Sequence, residues 1–261
     1  MDYSKIFRLD KKLIFVLGGC GYIGQEIVKG LVSSGGKVVV IDKHSTNLPE
    51  SSEFYSINLE KSISYKKKIN SCFKKFGTPN IFINASYPRS KDWKFSQSEN
   101  LKLASLEENI KIHLNSYLWF MNSTAIKMKK NKIKGSIINL SSMYGIISQD
   151  PEIYKKTNKS ENIIYSAIKG GINTFSKQLA VIYGKHDIRI NTICPGGVIN
   201  EKNYKKLNID KNFKKNYFQK SPIKRFATTY DVACATIFLS SDASKYITGT
   251  NLTLDGGWTA L

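Results

Sequence analysis

The chain has 261 residues, 41% of them apolar, which is enough to bury a sizeable core. No apolar run approaches the roughly 20 residues of a membrane-spanning helix, and the four cysteines (Cys20, Cys72, Cys194, Cys234) include no C-x-x-C pair, so a membrane span, a zinc ribbon and a disulfide framework are excluded. The net charge of +20 comes from 36 lysines and only four arginines beside 32 isoleucines and 21 asparagines, the signature of AT-rich codons; arginine, the residue suited to bidentate phosphate and base contacts, is scarce, and no specific nucleic-acid partner is expected.

Leu13–Leu17 reads as a short buried strand running into a glycine-rich turn. Ile23, Ile27, Val28 and Leu31 give helical periodicity over Tyr22–Ser34, ended by Gly35-Gly36. Val38–Ile41 and Phe54–Ile57 are the next strands, and Ser62–Phe76 is a lysine-rich amphipathic helix stopped by Gly77 and Pro79. Ile81–Asn84 is a strand, and a polar stretch leads to a long helix from about Leu106 to Lys130. Strand Ser136–Leu140, helix Ile163–Tyr183, strand Ile188–Ile193, helix Asp231–Leu239 and strand Asn251–Leu254 complete the order. Tyr87–Asn100, Ile146–Asn162 and Asn200–Pro222 read as irregular, the last as a mobile segment. Strands alternate with helices and no linker or repeat interrupts them. The expectation is one doubly wound α/β domain over 1–261, with a parallel sheet covered on both faces. The first dozen residues hold no apolar signal segment, so a cytoplasmic location is expected.

The first strand leads into Gly18-Gly19-Cys20-Gly21-Tyr22-Ile23-Gly24. Glycines let the backbone turn tightly against a pyrophosphate, and the following helix offers free N–H groups and a positive dipole end. Asp42 closes the second strand 24 residues after Gly18. Its carboxylate suits the two adenosine ribose hydroxyls and repels a 2′-phosphate, which favours NAD; Lys43 and His44 beside it keep NADP possible.

Tyr165 and Lys169 stand four residues apart on one face of a helix. A close ammonium favours the phenolate, and lowering a tyrosine pKa by about 3 units takes roughly 4 kcal/mol. The pair would form an acid/base for interconverting a hydroxyl and a carbonyl.

These elements together resemble the short-chain dehydrogenase/reductase family over nearly the whole chain. The resemblance rests on Gly18 to Gly24, Asp42, Asn84-Ala85-Ser86-Tyr87, Asn139-Leu140-Ser141-Ser142, Tyr165–Lys169, Pro195-Gly196, and the closing Ser241-Asp242, Thr248-Gly249 and Asp255-Gly256-Gly257. It implies a Rossmann-type sheet of about seven strands. It also implies that Ser142 bonds the substrate oxygen, Tyr165 shuttles its proton, and Lys169 holds the nicotinamide ribose and depresses the tyrosine pKa. The dinucleotide would further meet Gly18, Gly21, Tyr22, Ile23, Gly24, Asp42, Asn58, Leu59, Asn84, Pro195, Gly196 and Val198. No metal is implied. The long helices Leu106–Lys130 and Ile163–Tyr183 would form an isologous interface, giving a dimer or tetramer, with Tyr117, Trp119, Phe120 and Phe175 filling it or the core.

Several residues depart from the family pattern. Asn58 replaces an adenine-contacting aspartate, and Asn200 the threonine after Pro-Gly. His113 aligns with the active-site asparagine, with Asn115 as the alternative; either would relay a proton beside Lys169. Twenty-three residues separate Ser142 from Tyr165, a long interval. The extra segment, about 146–162, must leave and rejoin the carboxyl edge of the sheet, so it is expected to border the substrate crevice. With Tyr87-Pro88-Arg89 at the same edge, the chain resembles a subgroup of oxidoreductases associated with flagellin modification and nonulosonic-acid-type sugar biosynthesis. Arg89 is then the candidate for an anionic group on a sugar substrate. A 3-oxoacyl-carrier-protein reductase and a non-enzymatic nucleotide-binding module are the competing readings. Asp42 opposes the first, and the intact Ser142, Tyr165 and Lys169 oppose the second.

Overall fold

The computed structural model describes residue 3, residues 5–199 and residues 209–261. Its main sheet is built from β1 (Leu13–Leu17), β2 (Lys37–Asp42), β3 (Glu53–Ser56), β4 (Ile81–Asn84), β5 (Gly135–Leu140), β6 (Ile188–Pro195) and β9 (Asn251–Leu254). The seven strands lie in the order β3-β2-β1-β4-β5-β6-β9, and every pairing is parallel. A shorter parallel pair joins β7 (Val198–Ile199) to β8 (Ala227–Thr228).

Runs such as Ile81–Asn84 are buried throughout because helices cover both faces of the sheet. Side-chain alternation sorts the strands between two cores. Phe15, Leu17, Val39 and Ile41 pack with α2 (Tyr65–Phe76), α4 (Asn115–Lys130) and α5 (Ile163–Gly184). Ile14, Val16, Val38 and Val40 pack with α1 (Gly24–Ser33) and α7 (Thr229–Ser240). The strand order reverses between β1 and β4, which opens a crevice at their carboxyl ends.

Helix α1 begins at Gly24 and not at Tyr22. A side chain at Gly24 would put its Cβ 2.1 Å from the Gly18 carbonyl oxygen, so the turn closes on the helix only with glycine there. The long helix expected from Leu106 is also divided. It consists of α3 (Leu103–Asn109), a π-helical turn over Ile110–Leu114, and α4. The wide turn buries His113 completely, and the Ser116 hydroxyl donates to the His113 carbonyl at 2.8 Å. Wide turns of this kind concentrate at functional sites.

The stretch read as irregular after Ile199 contains a helix, α6 (Lys211–Lys220). Asp210 caps it by accepting from the Asn212 and Phe213 amides. Tyr217 and Phe213 form its apolar stripe and join Met143, Ile153, Phe226 and Trp258 in an aromatic cluster. Residues 200–208, including Asn200, lie outside the described residues.

Candidate active site

A cavity of about 570 Å³ occupies the crevice. At one end stand Gly18, Gly21, Tyr22, Ile23, Asp42, Asn58 and Leu59; at the other stand Tyr165, Lys169, Pro195, Gly196 and Val198. Gly18 has φ +81, and a Cβ there would lie 2.5 Å from the Ser86 backbone, so the glycine turn and the loop after β4 touch directly. Asp42 ties the turn to β2: its carboxylate accepts from the Cys20 amide at 3.0 Å and the Lys43 amide at 2.7 Å. The cavity therefore runs from the Asp42 carboxylate, past a helix N-terminus, to the Tyr165 phenol. These residues fit a nicotinamide dinucleotide.

Three expected contacts are not cavity walls. Gly24 packs beneath the turn. Asn84 is fully buried and works through Ser86, whose amide and hydroxyl both donate to its side-chain oxygen. Ser142 is also buried, with its hydroxyl accepting from the Tyr144 amide at 3.1 Å, and it reaches the Tyr165 phenol from behind.

Lys169 sits one turn after Tyr165. Its Nζ donates to the Leu140 carbonyl at 2.9 Å and lies 5.6 Å from the Tyr165 ring centre. Burial dominates the electrostatics of this pair. Burial pushes the Tyr165 phenol up, the neighbouring Tyr87 adds to this, and only the hydrogen bond to Ser142 works against it. Burial also brings Lys169 down to about 7. The ammonium is desolvated along with the phenol, so it loses charge before it can ionise its neighbour. The resting protein thus holds Tyr165 as a neutral phenol, ready to donate a proton.

Tyr87 stands where the family pattern has glycine, and it changes the site. Its ring meets Tyr165 edge-on at 6.0 Å, His113 at 5.3 Å and Trp93 at 5.9 Å between centres. Arg89 covers its other side, with the guanidinium carbon 5.3 Å from the ring centre, and both residues line the cavity. His113 lies behind Tyr87 and Tyr117, and burial holds its imidazole neutral. Neither of its ring nitrogens has a hydrogen-bond partner. Asn115, the alternative, is exposed.

Among the described residues, none from 146–162 lines this cavity, although Tyr154 lies close enough to act electrostatically on Tyr165. The segment folds away through a 3-10 turn at Pro151–Tyr154 and packs on α6. Tyr117 is a wall residue that its helical spacing disguised as core; its hydroxyl reaches the Ser86 carbonyl at 2.8 Å and the Leu140 carbonyl at 3.1 Å. Lys43 and Glu60 also line the adenosine end, paired at 3.1 Å. Their link, across seventeen residues, left no motif in the sequence.

Among the described residues no cluster suited to a metal ion occurs, and no helix is long and apolar enough to cross a membrane. A family model described as enoyl-(acyl carrier protein) reductase matches residues 21–259. Post-translational flagellin modification protein A of Campylobacter coli is 30% identical, over 96% of this chain and 99% of that one. An NADH-dependent L-xylulose reductase of Ambrosiozyma monospora is 26% identical over 99% of both chains. The crystal structure of a short-chain dehydrogenase from Leptospira borgpetersenii with bound NAD+ superposes with a TM-score of 0.85 at 27% identity, covering 99% of this chain and 96% of that one. A doubly wound sheet, a dinucleotide crevice ending at a tyrosine–lysine pair, and a family match over nearly the whole length converge: the chain belongs to the short-chain dehydrogenase/reductase family and is an NAD(P)-dependent oxidoreductase acting on a CH–OH group.

Proposed function

We propose that this protein interconverts a secondary alcohol and a ketone on an anionic sugar or sugar-acid derivative, one used in surface-glycan or flagellin modification, with NAD preferred over NADP. The observation that carries the reading is the placement of Arg89 on the Tyr87 ring, in the same cavity as Tyr165. Among the described residues no carboxylate pairs with Arg89, so its guanidinium is available to a substrate carboxylate or phosphate. The flagellin modification protein and the L-xylulose reductase among the relatives support the sugar class.

In the direction of ketone reduction, Tyr165 Oη donates its proton to the carbonyl oxygen. The Ser142 hydroxyl, bonded to the same phenol, orients that oxygen. The dinucleotide, when bound, supplies the hydride or accepts it. Lys169, fixed by the Leu140 carbonyl, would hold the nicotinamide ribose. His113, neutral and buried behind Tyr87, would relay protons from Lys169 only through a bridging water, since its ring nitrogens have no protein partner. At the other end, Asp42 would hold the adenosine ribose. Glu60 neutralises Lys43, the cation that would otherwise recruit a 2′-phosphate.

The protein works in this reading as a single catalytic domain and a cytoplasmic homo-oligomer. The exposed faces of α4 and α5 support assembly: Trp119, Ile126 and Val181 are open to solvent, whereas Phe120 fills the core and Tyr117 backs the cavity. Reduction of an acyl-carrier-bound ketone is the second reading. It draws on the description of the matched family and on the lysine-rich surface, and the carboxylates at the adenosine end oppose it, because such reductases use NADPH.

A panel of polyols, sugars and sugar acids with NAD, read by the absorbance of reduced cofactor, tests the proposal. Turnover concentrated on anionic sugars supports it. Turnover only of acyl thioesters, or of simple apolar ketones with no dependence on Arg89, overturns it.

A further inference from the structure

The catalytic phenol stands near the start of a helix. Tyr165 is the third residue of α5, in a first turn whose amides have no helical partners and which frays readily. Two side chains hold this turn. Asn162, the capping residue, accepts from the Tyr165 amide at 3.0 Å through its side-chain oxygen, and its own amide nitrogen donates to the Trp93 carbonyl at 2.8 Å. Gln149, from the long segment before the helix, braces the cap itself. Its Nε2 donates to the Asn162 carbonyl at 2.7 Å and to the Ser166 hydroxyl at 3.1 Å. Its Oε1 accepts from the Asn162 amide at 3.2 Å and the Tyr154 hydroxyl at 3.0 Å. All four bonding positions of one amide are used, and three of them fall on the residues flanking Tyr165.

The other end of the brace is anchored. Asn216 of α6 reaches the carbonyls of Glu152, Ile153 and Lys155, and Lys220 pairs with Asp150 at 3.0 Å. Helix α6 in turn meets the turn after β6, where the Tyr217 hydroxyl accepts from the amide of Gly197, between the cavity-lining Gly196 and Val198, at 2.6 Å. The extra length between Ser142 and Tyr165 therefore has a mechanical use.

We propose that Gln149 is a positioning residue for Tyr165, locking the first turn of α5 so that the phenol keeps its place against Ser142 and the substrate oxygen. This rests on Tyr165 being the acid/base of the reaction. A displacement of about 1 Å at a reacting group can cost a hundredfold in rate, and the loss of a helix cap alone costs enough to let one turn open.

The test uses the full chain with bound NADH. Gln149→Met keeps the length and removes all four bonds. Tyr154→Phe removes one and guards against a Met variant that folds poorly. Amide hydrogen exchange at Tyr165 should quicken roughly tenfold in Gln149→Met, while Ile172 and Leu179 in the same helix keep their protection. With galactitol, D-arabinitol and gluconate as probe substrates, kcat should fall about ten- to hundredfold for Gln149→Met and less for Tyr154→Phe. KM for NAD and NADH affinity should stay within about twofold, a split that general loss of structure would not give.

Wild-type exchange at the Tyr165 amide in Gln149→Met overturns the proposal. So does unchanged kcat despite faster exchange, or a rate loss that follows weakened NADH binding. Tyr165→Phe, run alongside, separates the two levels: if it stays active, the acid/base assignment fails while the exchange result still reports on the brace. If the wild type turns over none of the probes, the substrate reading suffers and the exchange result decides for Gln149.

Discussion

Replacing Lys169 by methionine should stabilise the cofactor-free protein at neutral and acid pH while abolishing its activity. The ammonium is 3% exposed and is brought from an ordinary 10.5 down to about 7 by burial. Between about pH 7 and 10.5 the unfolded chain holds a proton that the folded chain has released, so this group makes wild-type stability rise with pH across that window. Below about 7 both states are protonated, and the full cost of burying the charge is present. Roughly three and a half pH decades at about 1.4 kcal/mol each set a ceiling on the order of 5 kcal/mol. Water in the open crevice reduces this to roughly 2–3 kcal/mol. The variant also takes the Lys169 donor from the Leu140 carbonyl, which then shares the single Tyr117 hydroxyl proton with the Ser86 carbonyl and offsets part of the gain. Urea unfolding of both proteins at several pH values measures the effect. The Lys169→Met advantage should be largest below pH 7 and shrink steadily towards pH 10. A difference that does not change with pH would refute the burial argument.

Asp42→Ala should narrow the preference for NADH over NADPH, and Glu60→Gln should strengthen NADPH binding by freeing Lys43; titration calorimetry reads both. Arg89→Ala should raise KM about tenfold or more for an anionic sugar and leave a neutral alcohol with the same reacting group within about twofold. Light scattering at micromolar concentration should give a dimer or tetramer, and Trp119→Glu with Ile126→Lys should shift it towards monomer. A monodisperse wild-type monomer would remove the α4–α5 interface.

The sheet was legible because its strands are short apolar runs between glycine, proline and polar stops, and parallel strands buried on both faces leave that pattern. The cofactor end was legible for a related reason: tight approach to a phosphate demands glycine at fixed spacing, as at Gly18 and Gly21. What escaped was decided in three dimensions. Helix α6 is mostly lysine and asparagine, and its stripe of Phe213 and Tyr217 makes sense only against Trp258 and Phe226. The π-helical turn at His113 gives no periodic signal of its own. The bonds of residues 146–162, which run sideways to α6 and back to Asn162, leave no periodic signal in the sequence. Spacing shows that Lys169 neighbours Tyr165 and says nothing of how far both groups are buried, which raises the phenol and lowers the ammonium.

The central claim is that Tyr165 moves the proton in an NAD(P)-linked reaction of a sugar-type CH–OH group. Its most direct test is a comparison of wild type and Tyr165→Phe on the preferred substrate, following reduced cofactor by absorbance and NADH affinity by titration. The account predicts a rate loss of at least about a hundredfold with NADH affinity almost unchanged. Turnover by Tyr165→Phe within about threefold of wild type would contradict it.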